Sequence, residues 1–410
     1  MTARQRDEVA ITGLGLVTPA GIGAAASWQG ILAARPAATR DARLAGMPVD
    51  FTCRVPGFDA DALLGRRLAW RLDRYSQLAL VAAREAVADA GWDPRTWDGA
   101  RVGVVIGNAL GGTATYERQQ QILSVDGFDQ VSPMLIPMMG ISMVAGYIAI
   151  DVGASGPNLV TVTACASGAT AIGTALQLLR GGACDVVLAG GTEASLTPTI
   201  IAGFTKMGAL SRRSAEPALA SRPFDIDRDG FVAAEGAGLL VLERLADARA
   251  RGARIRALLR GYGASADAHH ATAPDPTGIG AARAIQAALD DAGLDAADVD
   301  HINSHGTSTP LNDIGEARVV ERMFPHRPAV TSVKGVTGHS LGAAGAIEAA
   351  CTVLAIERGM VPPTANLQRQ DPQIDLDVVV GAPRVMRTRA ALSNSFGFGG
   401  QNAVLVLSAA

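Results

Sequence analysis

Cys165 follows the β-prone run Asn158-Leu-Val-Thr-Val-Thr-Ala and precedes the small-residue run Ala-Ser-Gly-Ala-Thr-Ala-Ile-Gly. Val160 and Val162 alternate with threonines as in a half-buried strand, while Ala169, Ala171, Ala175 and Leu176 suit a close-packed helix. A sulfur at such a junction faces the first helical turn, where unpaired N–H groups and the helix dipole favour a thiolate. That chemistry is nucleophilic. Free cysteine also serves as a small buried filler, and taken alone Cys165 reads either way. Cys53, Cys184 and Cys351 lack this setting and read as structural.

Two further segments carry candidate chemistry. His305 lies in His301-Ile-Asn-Ser-His-Gly-Thr-Ser-Thr-Pro-Leu-Asn-Asp313, and His339 in the stretch from Val330 to Glu348. Each segment reads as a short strand, a glycine-containing turn and a helix. A cysteine and two histidines at the C-terminal edges of strands converge on one site if those strands share a sheet. Lys206 and Lys334 are the only lysines among 36 basic residues. A lysine kept inside the His339 segment suggests a role that arginine cannot fill, with codon drift as the plain alternative.

The elements that must position these groups alternate along the whole chain. Strands are expected at Val9–Thr12, Arg101–Ile106, Leu159–Ala164, Asp185–Ala189 and Leu239–Glu243, with helices at Asp73–Ala90, Ala166–Arg180 and Asp247–Gly252. The pattern then restarts with strands at Ala257–Gly261, His301–Asn303 and Ala329–Ser332, and helices at Gly280–Ala292, Asn312–Met323 and Gly342–Glu357. Strands at Asp377–Gly381, Arg389–Ser393 and Asn402–Ser408 close it. This alternation predicts an α/β fold with buried, mainly parallel strands, divided into halves 1–252 and 253–410.

Composition narrows the function classes. A hydrophobic content of 48% with 18% charged residues requires a large core. A net charge of −3 gives no argument for nucleic acid. The four cysteines show no paired spacing, so neither a disulfide framework nor a metal site is expected. Thr2 to Glu8 is polar and the apolar run after it is short and glycine-broken, so no signal peptide is expected and a cytoplasmic location follows. The uncharged stretches 130–150 and 152–179 are interrupted by proline, glycine and polar residues, and read as core or subunit interface rather than membrane spans. Gly13-Leu-Gly lacks the third glycine of a dinucleotide fingerprint, so no nucleotide is expected.

The motifs together resemble the β-ketoacyl-acyl carrier protein synthases of the thiolase superfamily, most closely the type II enzymes. The matching runs are Thr163-Ala-Cys-Ala-Ser-Gly168, Ser221-Arg-Pro-Phe-Asp-Ile-Asp-Arg-Asp-Gly-Phe231, His305-Gly-Thr-Ser-Thr309, Lys334 to Glu348, and Asn394-Ser-Phe-Gly-Phe-Gly-Gly400. They also resemble the ketosynthase subunit of type II polyketide systems. The resemblance implies a thiolase-like five-layered αβαβα fold of two similar halves. It implies a decarboxylative Claisen condensation, with Cys165 as nucleophile and with the N–H groups of Cys165 and Phe398 as the oxyanion hole. His305 and His339 would stabilise an enolate, Lys334 would be held by Glu348, and Phe398 would gate the site. Thr307 and Thr309 would meet a phosphopantetheine arm, while Leu110, Leu135, Phe204 and Phe231 would line the acyl pocket. Asp313 and Glu316 read as helix N-terminal charges.

The implied substrates ride on the phosphopantetheine arm of acyl carrier protein, with no separate cofactor. Arg66, Arg67, Arg71 and Arg74, with Lys206 at the pocket entrance, form the expected docking patch for that acidic partner. The chain would pair as a homodimer or with a chain-length-factor homologue; a non-catalytic scaffold subunit is the reading from another class. Met134, Leu135 and Gln401 depart from the usual family residues and leave a specialised polyene or polyketide substrate open alongside fatty-acid elongation.

Overall fold

The computed structural model describes residues 8–410; the start of the polar N-terminal stretch, through residue 7, lies outside them. Five main strands build the first half: β1 (Val9–Thr18), β2 (Val102–Gly107), β3 (Asn158–Thr161), β4 (Val186–Glu193) and β5 (Gly236–Arg244). Its main helices are α1 (Arg74–Asp89) and α2 (Ser167–Arg180). The second half repeats the scheme with β6 (Ala257–Ala266), α3 (Ile279–Ala292), β7 (His301–Asn303), α4 (Pro310–Met323), β8 (Ala329–Thr331), α5 (Ala344–Arg358), β9 (Ala390–Gly397) and β10 (Gln401–Ser408).

Strand order is β3-β2-β4-β5-β1 in the first half and β8-β7-β9-β10-β6 in the second. In both, the second strand pairs parallel with the third and fourth, and the remaining pairings are antiparallel. The sheets are therefore mixed, not mainly parallel. Each half ends on strands that follow directly on one another or return by a long excursion, and such strands can reverse. β1 and β6 pair antiparallel over Val9–Ile11, which links the two halves.

Alternate residues of each strand enter different cores, as strand geometry requires. Leu240 and Leu242 face a central core built on α2 and α5, whereas Leu239 and Val241 face α1 on the other side. Leu405 and Leu407 join the central core, and Val404 and Val406 face α3 and α4. Burial on both faces explains why these strands read as unbroken apolar runs. The layers run helix, sheet, central helices, sheet, helix.

Gly13 and Gly15 lie inside β1 rather than in a phosphate-binding turn. A Cβ on Gly13 would come within 2.1 Å of the Ala86 carbonyl oxygen of α1. Gly261 and Gly263 on β6 meet α3 in the same way. Both pairs of glycines let an outer helix press against its sheet.

The expected strand at Asp377–Gly381 is absent: Val378 makes only an isolated bridge to Val330. The expected helix at Asp247–Gly252 is instead Leu245–Ala250. The uncharged stretch after Gln130 forms two short helices, Leu135–Met139 and Met143–Val152, broken at Gly140. Among the described residues no helix is long and apolar enough to cross a membrane.

Candidate active site

Cys165 and His339 occupy equivalent places, each in the turn that leads from the third strand of a half into its central helix. Ala164, just before the cysteine, has φ 48°, and Leu341, just after the histidine, has φ 45°. For non-glycine residues such backbone costs about 1–3 kcal/mol, so surrounding bonds must hold it. Ser167 Oγ accepts from Thr163 N–H at 2.9 Å and donates to the Ala164 carbonyl at 2.7 Å. His339 donates its N–H to the Val232 carbonyl at 2.8 Å and accepts from Ala234 N–H at 3.0 Å.

His305 follows β7. Its N–H and that of Gly306 donate to the two oxygens of Glu316, each at 2.8 Å, and Asn394 adds a third bond to the same carboxylate at 3.1 Å. Glu316 is thus a buried brace of the His305 turn, not a surface charge on a helix end. Asp313 is buried too, accepting from Phe224 N–H at 2.9 Å and lying 3.5 Å from Arg228. The Ser221–Phe231 segment clamps the same turn: Gly230 N–H reaches the Ser308 carbonyl, and Arg222 N–H reaches Ser308 Oγ.

These turns bring Cys165 Sγ and one ring nitrogen each of His305 and His339 within 4.8 Å of one another. The two rings meet edge to face at 5.3 Å. Lys334 Nζ donates to the His305 carbonyl at 2.6 Å, lies 3.4 Å from His305 Nδ1 and is ion-paired with Glu348. All five groups are buried. A metal could span the same three ligand atoms, but the Lys334 ammonium against His305 would repel a cation there.

Burial holds His305 and His339 well below the ordinary imidazole range, and the Lys334 charge pushes the same way. Both are therefore neutral at physiological pH, each with one N–H and one lone pair. Burial pushes Glu348 up to about 7 against the attraction of Lys334. It also pushes the Cys165 thiol up to about 11, despite a hydrogen bond from Phe398 N–H and the Lys334 charge. Desolvation at the sulfur therefore opposes the thiolate that the helix terminus favours.

A cavity of about 390 Å³ opens over the sulfur, lined by His305, His339, Phe231, Phe398, Thr307 and Thr309 among others. Phe204 packs on two neighbouring rings, 5.4 Å from Phe231 and 6.4 Å from Phe398. Thr307 and Thr309 share a hydroxyl hydrogen bond at 3.0 Å, and Thr309 also caps α4. Phe398 stands on the β9–β10 turn, where Gly399 and Gly400 have φ 79° and 68°. Gln401 reaches back to the Phe398 carbonyl at 3.5 Å.

Other expected site residues lie apart. Leu110, 38% exposed on the turn after β2, and half-buried Leu135 do not line this cavity. Arg66, Arg67 and Arg71 are exposed around one shallow groove, and Lys206 is exposed at the end of the Pro198–Met207 helix. Arg74 does not belong with them. Its guanidinium makes two bonds to buried Glu235, at 2.7 and 2.6 Å, and covers the Phe58 ring, so it is committed to the fold.

The bracing carboxylates Glu193 and Glu316 escaped the sequence reading as functional residues. Glu193 carried a legible signal, since an acid ending the apolar run Val186–Ala189-Gly-Gly-Thr must be buried and bonded.

The beta-ketoacyl synthase N-terminal domain matches residues 6–248, and the C-terminal domain matches residues 256–368. A 3-oxoacyl-acyl-carrier-protein synthase 2 of Synechocystis sp. is 46% identical over 416 residues, covering 99% of both chains. One from Staphylococcus aureus is 43% identical over 407 residues, 98% of both. Among solved structures, the ishigamide ketosynthase/chain length factor matches with a TM-score of 0.92 at 36% identity, covering 99% of this chain and 100% of that one. A type II PKS ketosynthase solved with its acyl-carrier protein matches with a TM-score of 0.91 at 34% identity, over the same shares. With a buried cysteine and two neutral histidines meeting under a glycine-hinged phenylalanine, and with full-length relatives of this kind, the chain belongs to the beta-ketoacyl synthase family.

Proposed function

We propose that the protein is a 3-oxoacyl-acyl-carrier-protein synthase that extends acyl chains in fatty acid elongation, with Cys165 as the point of covalent attachment. The observation that carries this reading is the convergence of Cys165, His305 and His339 at the floor of one cavity, beside Phe398. Cys165 attacks the thioester carbonyl of an acyl group on the carrier's phosphopantetheine arm. The acyl–sulfur bond to the arm breaks, the thiol proton ends on the departing arm, and the acyl group stays on Cys165. In the second half-reaction a malonyl thioester loses carbon dioxide, and the electron pair of the broken bond forms an enolate. N–H donors from His305 and His339 stabilise its oxygen. The enolate carbon attacks the Cys165 thioester, and a proton from solvent restores the thiol.

Lys334 and Glu348 hold His305, and Phe398 separates the two half-reactions by opening and closing on its glycine hinge. Thr307 and Thr309 face the cavity where the arm would lie. Exposed Arg66, Arg67, Arg71 and Lys206 attract an acidic carrier protein. The open edge of β3 is the surface for a second thiolase-like chain, because Leu159, Val162, Ile150, Phe128 and Ile136 are exposed among the described residues on that edge strand and the segments flanking it. A homodimer is the primary reading, and a chain-length-factor partner is the second, favoured by the likeness to the ishigamide complex.

The test is mass spectrometry of Cys165 after incubation with an acyl-carrier series, followed by product analysis after adding malonyl-carrier. An acyl adduct on Cys165 and a product longer by two carbons support the reading. A folded protein that forms neither is a scaffold subunit instead.

A further inference from the structure

At the end of β4 the chain packs more tightly than side chains allow. A Cβ on Gly191 would fall 2.7 Å from the Gly342 carbonyl oxygen, 3.1 Å from the Gly168 Cα and 3.2 Å from the Gly107 carbonyl oxygen. The ends of β2 and β4 and the starts of α2 and α5 therefore meet at one point. Glu193 ends β4 there, fully buried, with no salt bridge among the described residues. Its carboxylate accepts from Ala109 N–H at 2.9 Å and from Ser195 Oγ at 2.6 Å, and Gly342 packs directly on the held Ala109, where a Cβ on Gly342 would fall 2.6 Å from the Ala109 nitrogen. Ala109 belongs to the turn that carries Leu110, and Gly342 to the turn that carries His339.

The arrangement mirrors Glu316, whose carboxylate holds the corresponding turn after β7 and with it His305. Glu193 differs in reaching across the halves. The Ala109 turn that it holds packs against Gly342, in the turn before α5 of the second half, while its own strand lies in the first. Burying a carboxylate without a cation is costly, and only the complete set of donors offsets that cost. A glutamine of the same shape carries no charge and offers only one carbonyl oxygen to these donors.

We propose that Glu193 is a positioning residue for the condensation: it ties the Leu110 turn to the Leu341–Ala343 turn and so sets where the His339 ring stands relative to Cys165. The inference rests on the condensing function proposed above. It assigns Glu193 to the half-reaction that uses His339, and not to acyl loading, because neither turn carries the cysteine.

Glu193→Gln, Glu193→Asp and wild type are compared for two rates: transfer of a butyryl group from its carrier to Cys165, and decarboxylation of malonyl-carrier. Failure of the wild type in both assays overturns the condensing function itself, which keeps the two ideas distinguishable. With an active wild type, Glu193→Gln is expected to lower the decarboxylation kcat by about 100-fold, the size of effect that a small misplacement produces. KM for malonyl-carrier and the loading rate should stay near wild type, and Glu193→Asp, which keeps the charge, should recover part of the loss. Equal losses in both half-reactions, no loss in either, or an aspartate variant no better than glutamine each overturn the proposal. If Glu193→Gln does not fold, Ser195→Ala removes one donor to the carboxylate and carries the test. A smaller loss confined to decarboxylation supports the proposal, and a uniform effect or none overturns it.

Discussion

Individual side chains divide the work by what burial does to their protons. Cys165→Ala should abolish acyl loading while the protein stays folded, because the side chain contributes only a thiol to the cavity wall. His305→Ala or His339→Ala should slow malonyl decarboxylation by about 10²–10⁴-fold, the range for such donors, while loading survives in part. Wild-type condensation by the Cys165→Ala protein would end this assignment. Because the Cys165 thiol is pushed up to about 11, its alkylation by iodoacetamide should keep rising from pH 8 to pH 10 instead of levelling off. A plateau near pH 8 would show that the helix terminus wins after all. His301 offers a cleaner proton argument. It is fully buried, neither ring nitrogen has a partner among the described residues, and burial lowers it to about 3. The unfolded chain takes up a proton there below about pH 6.5 and the folded chain does not, so stability falls as pH drops from 6.5 toward 3, by about 1.4 kcal/mol per unit. His301→Leu should flatten that slope in urea unfolding at pH 7.5, 6 and 5; an unchanged slope would remove His301 as its source.

Elements supply geometry that no single residue can. The central helices α2 and α5 start beside one another because small residues crowd the junction, and their N-termini deliver Cys165 and His339 to one place. The outer layer depends on similar closeness, so Gly13→Ala, which would drive a methyl to 2.1 Å from a backbone oxygen of α1, should destabilise by at least the about 1–3 kcal/mol typical of overpacking. A denaturation midpoint equal to wild type would mean that α1 shifts freely. Leu110 is the element-scale test of substrate length. If its turn borders the path of the acyl chain, Leu110→Phe should block long chains and spare short ones, since each methylene left unburied forfeits about 0.8 kcal/mol. A uniform fall in loading across an acyl-carrier series would place Leu110 outside that path.

At the scale of the whole molecule, surfaces decide which partners arrive. Reversing Arg67 and Arg71 to glutamate should weaken use of carrier-bound substrate far more than use of a small thioester, with an effect that shrinks as salt is raised. Equal losses for both substrates would make those arginines ordinary solvated charges. Arg74 should behave differently. Arg74→Glu would set a second carboxylate against buried Glu235 and should reduce stability for every substrate. The exposed apolar residues around β3 concern the second chain: Val162→Arg should lower the mass seen by analytical ultracentrifugation if that edge is the interface, and an unchanged mass would move the interface elsewhere.

Much of this was legible in the amino-acid order because it rests on local rules. Short apolar runs bounded by turn residues located nearly every main strand, and glycine turns ending in cysteine or histidine marked the three chemical junctions. The resemblance carried by five ordered motifs named the chemistry those junctions serve. What the order of residues could not decide was everything set by distant neighbours. Strand direction depends on pairing partners far along the chain, so mixed sheets were misread as mainly parallel. The same dependence made Arg74 look like a free surface charge when Glu235, far along the chain, had already claimed it. Glu316 read as a helix-end charge until the fold buried it beneath His305. Cys165 shows the division most plainly. Local sequence set its place at a helix start and argued for a thiolate, but the packing of both halves over that helix buried the sulfur and so opposes that charge, and only the tertiary structure could do so.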